Sequence, residues 1–192
     1  MSVAEHITQL ASGPARFTTA EFMELVRHPP IADWLGKVEL VNGEIMRMSP
    51  ANVPHWNAQR IAFLRLQSAF AALGNEWIVG QEPTVRLTAD TLREPDVAVL
   101  RDPDLRATLF DRVALFLAVE IADTSLALDL GAKRSDYAEA FVPHYWVVDI
   151  NARRTHVMAK PRAGNYEDKR LIPFGQPIAI PELNIDIVIV ID

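Results

Sequence analysis

The sequence predicts one α/β domain with a mixed central β-sheet flanked by helices, preceded by an N-terminal helix and a β-hairpin. Three observations carry that expectation. Helical patterns over 54–73 and 125–141 alternate with short apolar strands, which is the order of a layered α/β core. The run 115–121 is apolar on both faces apart from Glu120, as in a central strand covered on both sides. Asn42-Gly43 stands between two strand-like segments and supplies the two positive-φ positions of a tight type I′ turn. At 192 residues, 49% of them hydrophobic and 23% charged, the chain suits one core. Residues 1–16 read as an N-terminal extension and 17–192 as the single domain.

Taken in order, Thr18-Thr19-Ala20-Glu21 is a capping box that opens a helix through about Arg27, and His28-Pro29-Pro30 ends it. The hairpin spans 37–48, with Val41 opposite Glu44 and Glu39 opposite Met46, so Glu39 and Glu44 share a face. The helix over 54–73 places Ile61, Leu64, Phe70 and Leu73 at helical spacing, and Gly74 suits its C-terminal stop. Strands are expected at 77–79, 84–87, 96–100 and 115–121. After the helix over 125–141, further strands are expected at 145–149, 155–159, 170–172 and 185–191.

Composition narrows the chemistry. With no cysteine, thiolate zinc sites and cysteine nucleophiles are excluded, so a metal site must use oxygen or imidazole ligands, which favours Mg²⁺ or Mn²⁺. A net charge of −6 argues against a uniformly basic binding face and calls for a local basic patch or a dimer cleft. The start lacks the basic and apolar segments of a secretory signal, and no run of about 18 apolar residues occurs, so a cytoplasmic protein without a membrane segment is expected.

Three charges stand where the local pattern calls for a buried apolar side chain. Asp96 opens a strand after Glu94-Pro95 and shares a face with Ala98 and Leu100, at an accessible strand edge. Glu120 lies on the face of Phe116 and Ala118, where its ionised form needs a cation, a basic partner or several hydrogen bonds. On the following helix Leu126, Leu130, Lys133, Tyr137 and Ala140 trace one stripe, which turns Lys133 inward. Adjacent strands would bring Asp96 and Glu120 to one ion, with a strand carbonyl and waters completing a Mg²⁺ shell. Lys133 beside them would stabilise charge on a phosphate while the metal lowers the pKa of an attacking water. The plainer alternative is a turn cap at Asp96 and a structural Glu120–Lys133 pair. Glu39 and His55 are weaker candidates, Tyr137 reads as core and Asp149 as a strand-end turn residue. Arg153, Arg154, Lys160, Arg162, Lys169 and Arg170 read as a solvated face, since Glu167 and Asp168 interrupt them.

Six segments stand out together: Val38 through Ile45, Met48-Ser49-Pro50 with His55, Glu94-Pro95-Asp96-Val97, Val119-Glu120-Ile121, Asp129 through Lys133 with Tyr137, and Val142 through Asp149. In order and spacing they resemble the Uma-two family of restriction endonuclease-like proteins within the PD-(D/E)xK nuclease superfamily. The resemblance implies a restriction endonuclease-like core in which Asp96, Glu120 and the backbone carbonyl of Ile121 hold Mg²⁺. Lys133 would be the active-site lysine, Glu39 an additional acid and His55 a neighbour of the site. In the wider superfamily the lysine lies two residues beyond the glutamate, where this chain has Ala122; it looks displaced onto the next helix. Asp123-Thr124-Ser125-Leu126 also departs from the family's usual Ser-Pro-Ser-Thr, and Asn42-Gly43 from its Asp-Gly.

The expected activity is therefore a Mg²⁺-dependent endonuclease acting on DNA, with Mn²⁺ as a substitute. Two competing readings stand beside it: a nucleic-acid- or partner-binding module that cleaves nothing, and a metal-independent hydrolase using Asp96 and Glu120 as acid and base. Apolar residues around Trp34, Trp56 and the last strand suggest a homodimer, by analogy with enzymes that cut both strands of a duplex.

Overall fold

The structure, a computed structural model, describes residues 15–191. The expected N-terminal extension thus lies outside the described residues except for its last two positions. The capping box closes as expected: Thr18 N–H donates to the Glu21 carboxylate at 2.8 Å and Glu21 N–H to Thr18 Oγ1 at 3.3 Å. It starts α1, Thr19–Leu25. The prolines, expected only to end this helix, also begin another, α2, Pro29–Leu35. Proline lacks an N–H that the first helical turn would leave unpaired anyway, so the same dipeptide serves both ends.

The hairpin pairs β1, Val38–Val41, with β2, Glu44–Arg47, in the expected register, Val41 opposite Glu44 and Glu39 opposite Met46. Asn42 and Gly43 take φ of 50° and 79°, as the turn requires. Helix α3, Val53–Ala71, follows. Its buried stripe is Ala58, Ala62, Leu66 and Phe70, at strict i+4 spacing. Leu64, expected on that stripe, is 47% exposed, because small alanines rather than the larger leucine let the helix approach the sheet.

The main sheet has six strands in the order β11-β10-β9-β8-β6-β3. These are β3, Trp77–Gln81; β6, Val97–Arg101; β8, Leu115–Ala122; β9, His144–Asp149; β10, Arg154–Arg162; and β11, Asn165–Pro173. Strand β8 runs antiparallel to β6 and parallel to β9, so the sheet is mixed as expected. A smaller sheet adds β4, Val85–Arg86; β5, Leu92–Arg93; and β7, Phe110–Asp111, to the hairpin in the order β2-β1-β5-β4-β7. A third pairs β12, Pro177–Ile180, with β13, Ile185–Val188. Strands β5, β7 and β12 carry no sequence signal: β5 and β7 are two residues long, too short for any period to register.

Strand β8 is buried on both faces, as its composition predicted. Leu117, Val119 and Ile121 pack toward α3, while Leu115, Ala118 and Ala122 pack on the opposite face with Tyr137, Tyr145 and Val147. A register shift between Val99 and Leu100 inserts Phe116 as an extra residue on β8. This bulge turns Phe116 away from the Glu120 face, where strict alternation had placed it, and against Phe70 and Trp77 at 6.0 and 5.0 Å between ring centroids. Beyond β8 the helical run is α4, Leu126–Leu128, a π-helical turn Asp129–Lys133, and α5, Arg134–Glu139. None of the described helices is long and apolar enough to cross a membrane.

Candidate active site

The register of β6 against β8, Val97 opposite Val119, sets Asp96 beside the end of the glutamate strand. There Asp96 Oδ2 accepts from the Ile121 N–H at 2.7 Å and lies 3.2 Å from His55 Nε2. Gln59 on α3 donates to the Asp96 carbonyl at 2.9 Å. Asp96, expected to be accessible at a strand edge, is only 9% exposed, because the first turns of α3 fold over it. His55 is aimed by its own helix end: Asn52 caps α3 by accepting from His55 N–H at 2.9 Å, and Asn52 donates to Asp123 at 2.6 Å. The Asp96 hydrogen bond favours the imidazolium and holds His55 above the ordinary histidine range; burial and the Lys37 charge oppose this.

Glu120 points into the opposite layer, with both oxygens occupied. Lys133 Nζ donates to Oε2 at 2.8 Å and Tyr137 Oη to Oε1 at 3.0 Å. Lys133 faces inward as its stripe predicted. Within the π-helical turn its i−4 neighbour Asp129 is also buried, 3.8 Å from the ammonium, while Leu130 packs partly buried against the core. Such turns are frequent at functional sites. Ser125 Oγ donates to Asp129 at 2.5 Å. Burial pushes the Glu120 carboxyl up to about 8; Lys133 pulls it down, and the Asp96, Asp129 and Glu39 charges push it further up. Burial likewise raises Asp129 and Glu94. Burial disfavours the Lys133 charge, but the Glu120 and Glu39 carboxylates outweigh that and hold it above the ordinary lysine range.

Asp96, Glu120, Ile121, Lys133, His55 and Asp129 line one cleft of about 380 Å³. A larger groove of about 690 Å³ between α3 and β13 has only Arg65 and Asp186 as charged lining, and no convergent acids. Glu39 does not line the cleft. It is 1% exposed and accepts from Arg93 at 2.6 Å and from Glu94 N–H at 2.9 Å. Arg93 also forks onto Asp136 of α5, so a buried Glu39–Arg93–Asp136 triad ties the hairpin, β5 and α5 together directly behind the cleft. Arg93, Gln59 and Asn52 carry no motif that marks them in the sequence, and Asp129, though it opens the segment through Lys133, has no role that the sequence assigns it. Arg93 had one usable signal, its adjacency to Glu94-Pro95-Asp96. Tyr137 is core as expected, yet it also orients Glu120. Asp149 accepts from Ala152 N–H at 2.9 Å, the turn role expected of it.

Among the described residues, no group of three or more His, Asp or Glu side chains stands ready-made as a metal cage. The donor set nevertheless fits a hard divalent cation, since the carboxylates of Asp96, Glu120 and Asp129 line one cleft and such ions take oxygen ligands. Ions such as Mg²⁺ keep several waters and need only one or two protein carboxylates.

Burial of these acids and the Asp96–His55 hydrogen bond set a pH dependence. Glu120, Glu94, Asp129 and His55 are all raised in the folded chain. A raised group contributes stability that is complete below its unfolded value and lost as pH rises through its folded one. In EDTA, the urea midpoint is therefore expected to fall as pH climbs from about 5 through the value of about 8 set by Glu120, and to fall less in Glu120→Gln. A midpoint that rises over that interval would refute the assignment.

Fold and cleft together define an α/β domain in which two acids and a lysine line one cleft beside its central strands. The chain belongs to the Uma2 family, whose description reads "Putative restriction endonuclease" and whose profile matches residues 22–189. The fold is shared with a crystal structure from Anabaena variabilis ATCC 29413 described as a "putative nuclease belonging to DUF820". The two are 14% identical with a TM-score of 0.65, over 90% of this chain and 95% of that one. No curated protein matches the chain.

Proposed function

We propose that the chain is a Mg²⁺-dependent endonuclease that hydrolyses phosphodiester bonds in DNA, with Mn²⁺ able to substitute, and that 17–192 act as one catalytic domain. The observation that carries this reading is the convergence of Asp96, Glu120 and Lys133 in one cleft despite the cost of burying each charge. Asp96, Glu120 and the Ile121 carbonyl would hold the ion. When bound, Mg²⁺ supplies Lewis-acid polarisation of the phosphoryl group and a lowered pKa for water.

The chain's own residues do the rest. The Ile121 N–H and His55 hold the Asp96 carboxylate in one orientation, so little reorganisation remains when substrate arrives. Tyr137 fixes Glu120 from the far side. Lys133, its side chain 4% exposed and its charge retained, faces the position where negative charge grows on the phosphoryl oxygens. Glu39 acts at one remove, holding Arg93 and the Glu94 N–H and thereby the Glu94-Pro95-Asp96 segment.

The test is cleavage of supercoiled, linear and single-stranded substrates with Mg²⁺, Mn²⁺ or EDTA. Lys133→Met is expected to lower the metal-dependent rate by on the order of 10²- to 10³-fold, with the circular dichroism spectrum unchanged. Full activity in Lys133→Met, or in EDTA, would overturn the reading. Salt-sensitive binding without cleavage of any substrate would favour the binding module instead.

A further inference from the structure

The mouth of the cleft is built differently from its floor. Arg47 lines the cleft and lies over the ring of Trp34, its guanidinium carbon 5.1 Å from the ring centroid. Arg47 also donates to the Trp34 carbonyl at 3.4 Å, and it has no carboxylate partner among the described residues. Trp34 itself is 71% exposed. Lys37 lines the same cleft but is paired with Glu82 at 2.9 Å, and Trp56, 56% exposed, follows His55 on the first turn of α3. An exposed tryptophan steadied by an unpaired arginine is an open π-face beside a cation, which is the chemistry that stacks a nucleobase and meets its phosphate.

Elsewhere the surface offers a duplex little. The chain carries a net charge of −6. Of the basic residues in the C-terminal third, Arg154, Arg162 and Arg170 stand 3.7, 2.7 and 3.6 Å from carboxylates. Tight duplex binding rests largely on many phosphate contacts. With these three arginines partnered and Arg153 over the Phe174 ring, Lys160 and Lys169 are the cations from Arg153 to Arg170 left without a partner among the described residues, too few for such an interface. A stacking platform, by contrast, reaches only a base that has left the helix, since paired bases cover one another's faces.

Resting on the nuclease reading, we infer that the substrate strand presents an unpaired base next to the scissile phosphodiester, as in single-stranded or flapped nucleic acid, and that Trp34 with Arg47 is the platform that stacks it.

The measurement is anisotropy of a labelled single strand of about 12 nucleotides, against a blunt duplex of the same sequence, bound to the Glu120→Gln chain with Mg²⁺ present. The single strand is expected to bind at least about 10-fold tighter than the duplex. Adding Trp34→Ala is expected to weaken single-strand binding by about 5- to 140-fold, the value of one stacked base, and to move duplex binding by less than about twofold. Trp34→Phe, which keeps a ring, should retain most of the affinity. Equal or tighter duplex binding would overturn the inference. So would an unchanged single-strand affinity in Trp34→Ala, including the case where that variant alters only the oligomeric state and marks Trp34 as a contact between copies. Cleavage by the wild-type chain reports separately: metal-dependent cleavage indifferent to Trp34→Ala sinks the platform and spares the nuclease, whereas single-strand preference without any cleavage does the reverse.

Discussion

Glu120→Gln is expected to abolish metal-dependent nicking of plasmid DNA, with a loss on the order of 10³-fold or more, at the upper end of what one electrostatic contact supplies. The substitution changes one atom type and no volume. The remaining carbonyl still accepts from Lys133 or Tyr137, so the local packing survives. Two stability effects oppose each other. The variant sheds the cost of burying a carboxylate already driven up to about 8, but it leaves the Lys133 ammonium with Asp129 at 3.8 Å as its nearer remaining counter-charge. Near neutrality the melting temperature should therefore shift by only a few degrees, and a dead but folded variant is the informative result. Wild-type nicking by Glu120→Gln would remove Glu120 from the chemistry altogether.

The second large effect lies outside the cleft. Arg93→Ala is expected to destabilise the domain by about 3–5 kcal/mol, because it leaves Glu39 charged and buried with only the Glu94 N–H for company. For a chain of this length that corresponds to a fall of roughly 6–20 °C in melting temperature. The mutual dependence is testable by a double-mutant cycle. Once Arg93 is gone, Glu39→Gln should recover part of the loss, giving a coupling of about 0.5–3 kcal/mol. Arg93→Lys should rescue poorly, since a single ammonium cannot grip Asp136 and Glu39 as the guanidinium fork does. A fall of less than about a degree, or strictly additive losses, would show the triad to be energetically idle. Because Glu94 N–H hangs from the same glutamate, cleavage by Arg93→Ala at temperatures where it remains folded should also decline.

Much of what positions the cleft is legible in the sequence. Asp96, Glu120 and Lys133 stand out because each breaks an apolar pattern, and the pattern itself says where they point: strand period two for Asp96 and Glu120, helical spacing for Lys133. Burial of both faces of β8 follows from its composition, and the hairpin register follows from Asn42-Gly43, since a two-residue loop leaves only one pairing. These are local rules, in which neighbours along the chain decide the outcome.

What tertiary structure alone decided has a common physical origin. Arg93 owes its role to Glu39, 54 residues away, and to Asp136, 43 away; no window of sequence contains that triad. The bulge that turns Phe116 from the Glu120 face arises from pairing with β6, and the carboxylate that Lys133 grips, Glu120, lies 13 residues away on another element. The replacement of Leu64 by Ala58 and Ala62 on the buried face of α3 reflects how closely the helix must approach the sheet. The sequence by itself determined which charges would be forced inside and on which face of which element. Only the folded chain decided their partners, because a buried charge is satisfied by whatever the topology brings within hydrogen-bond reach, and that is a property of the packing rather than of the neighbouring residues.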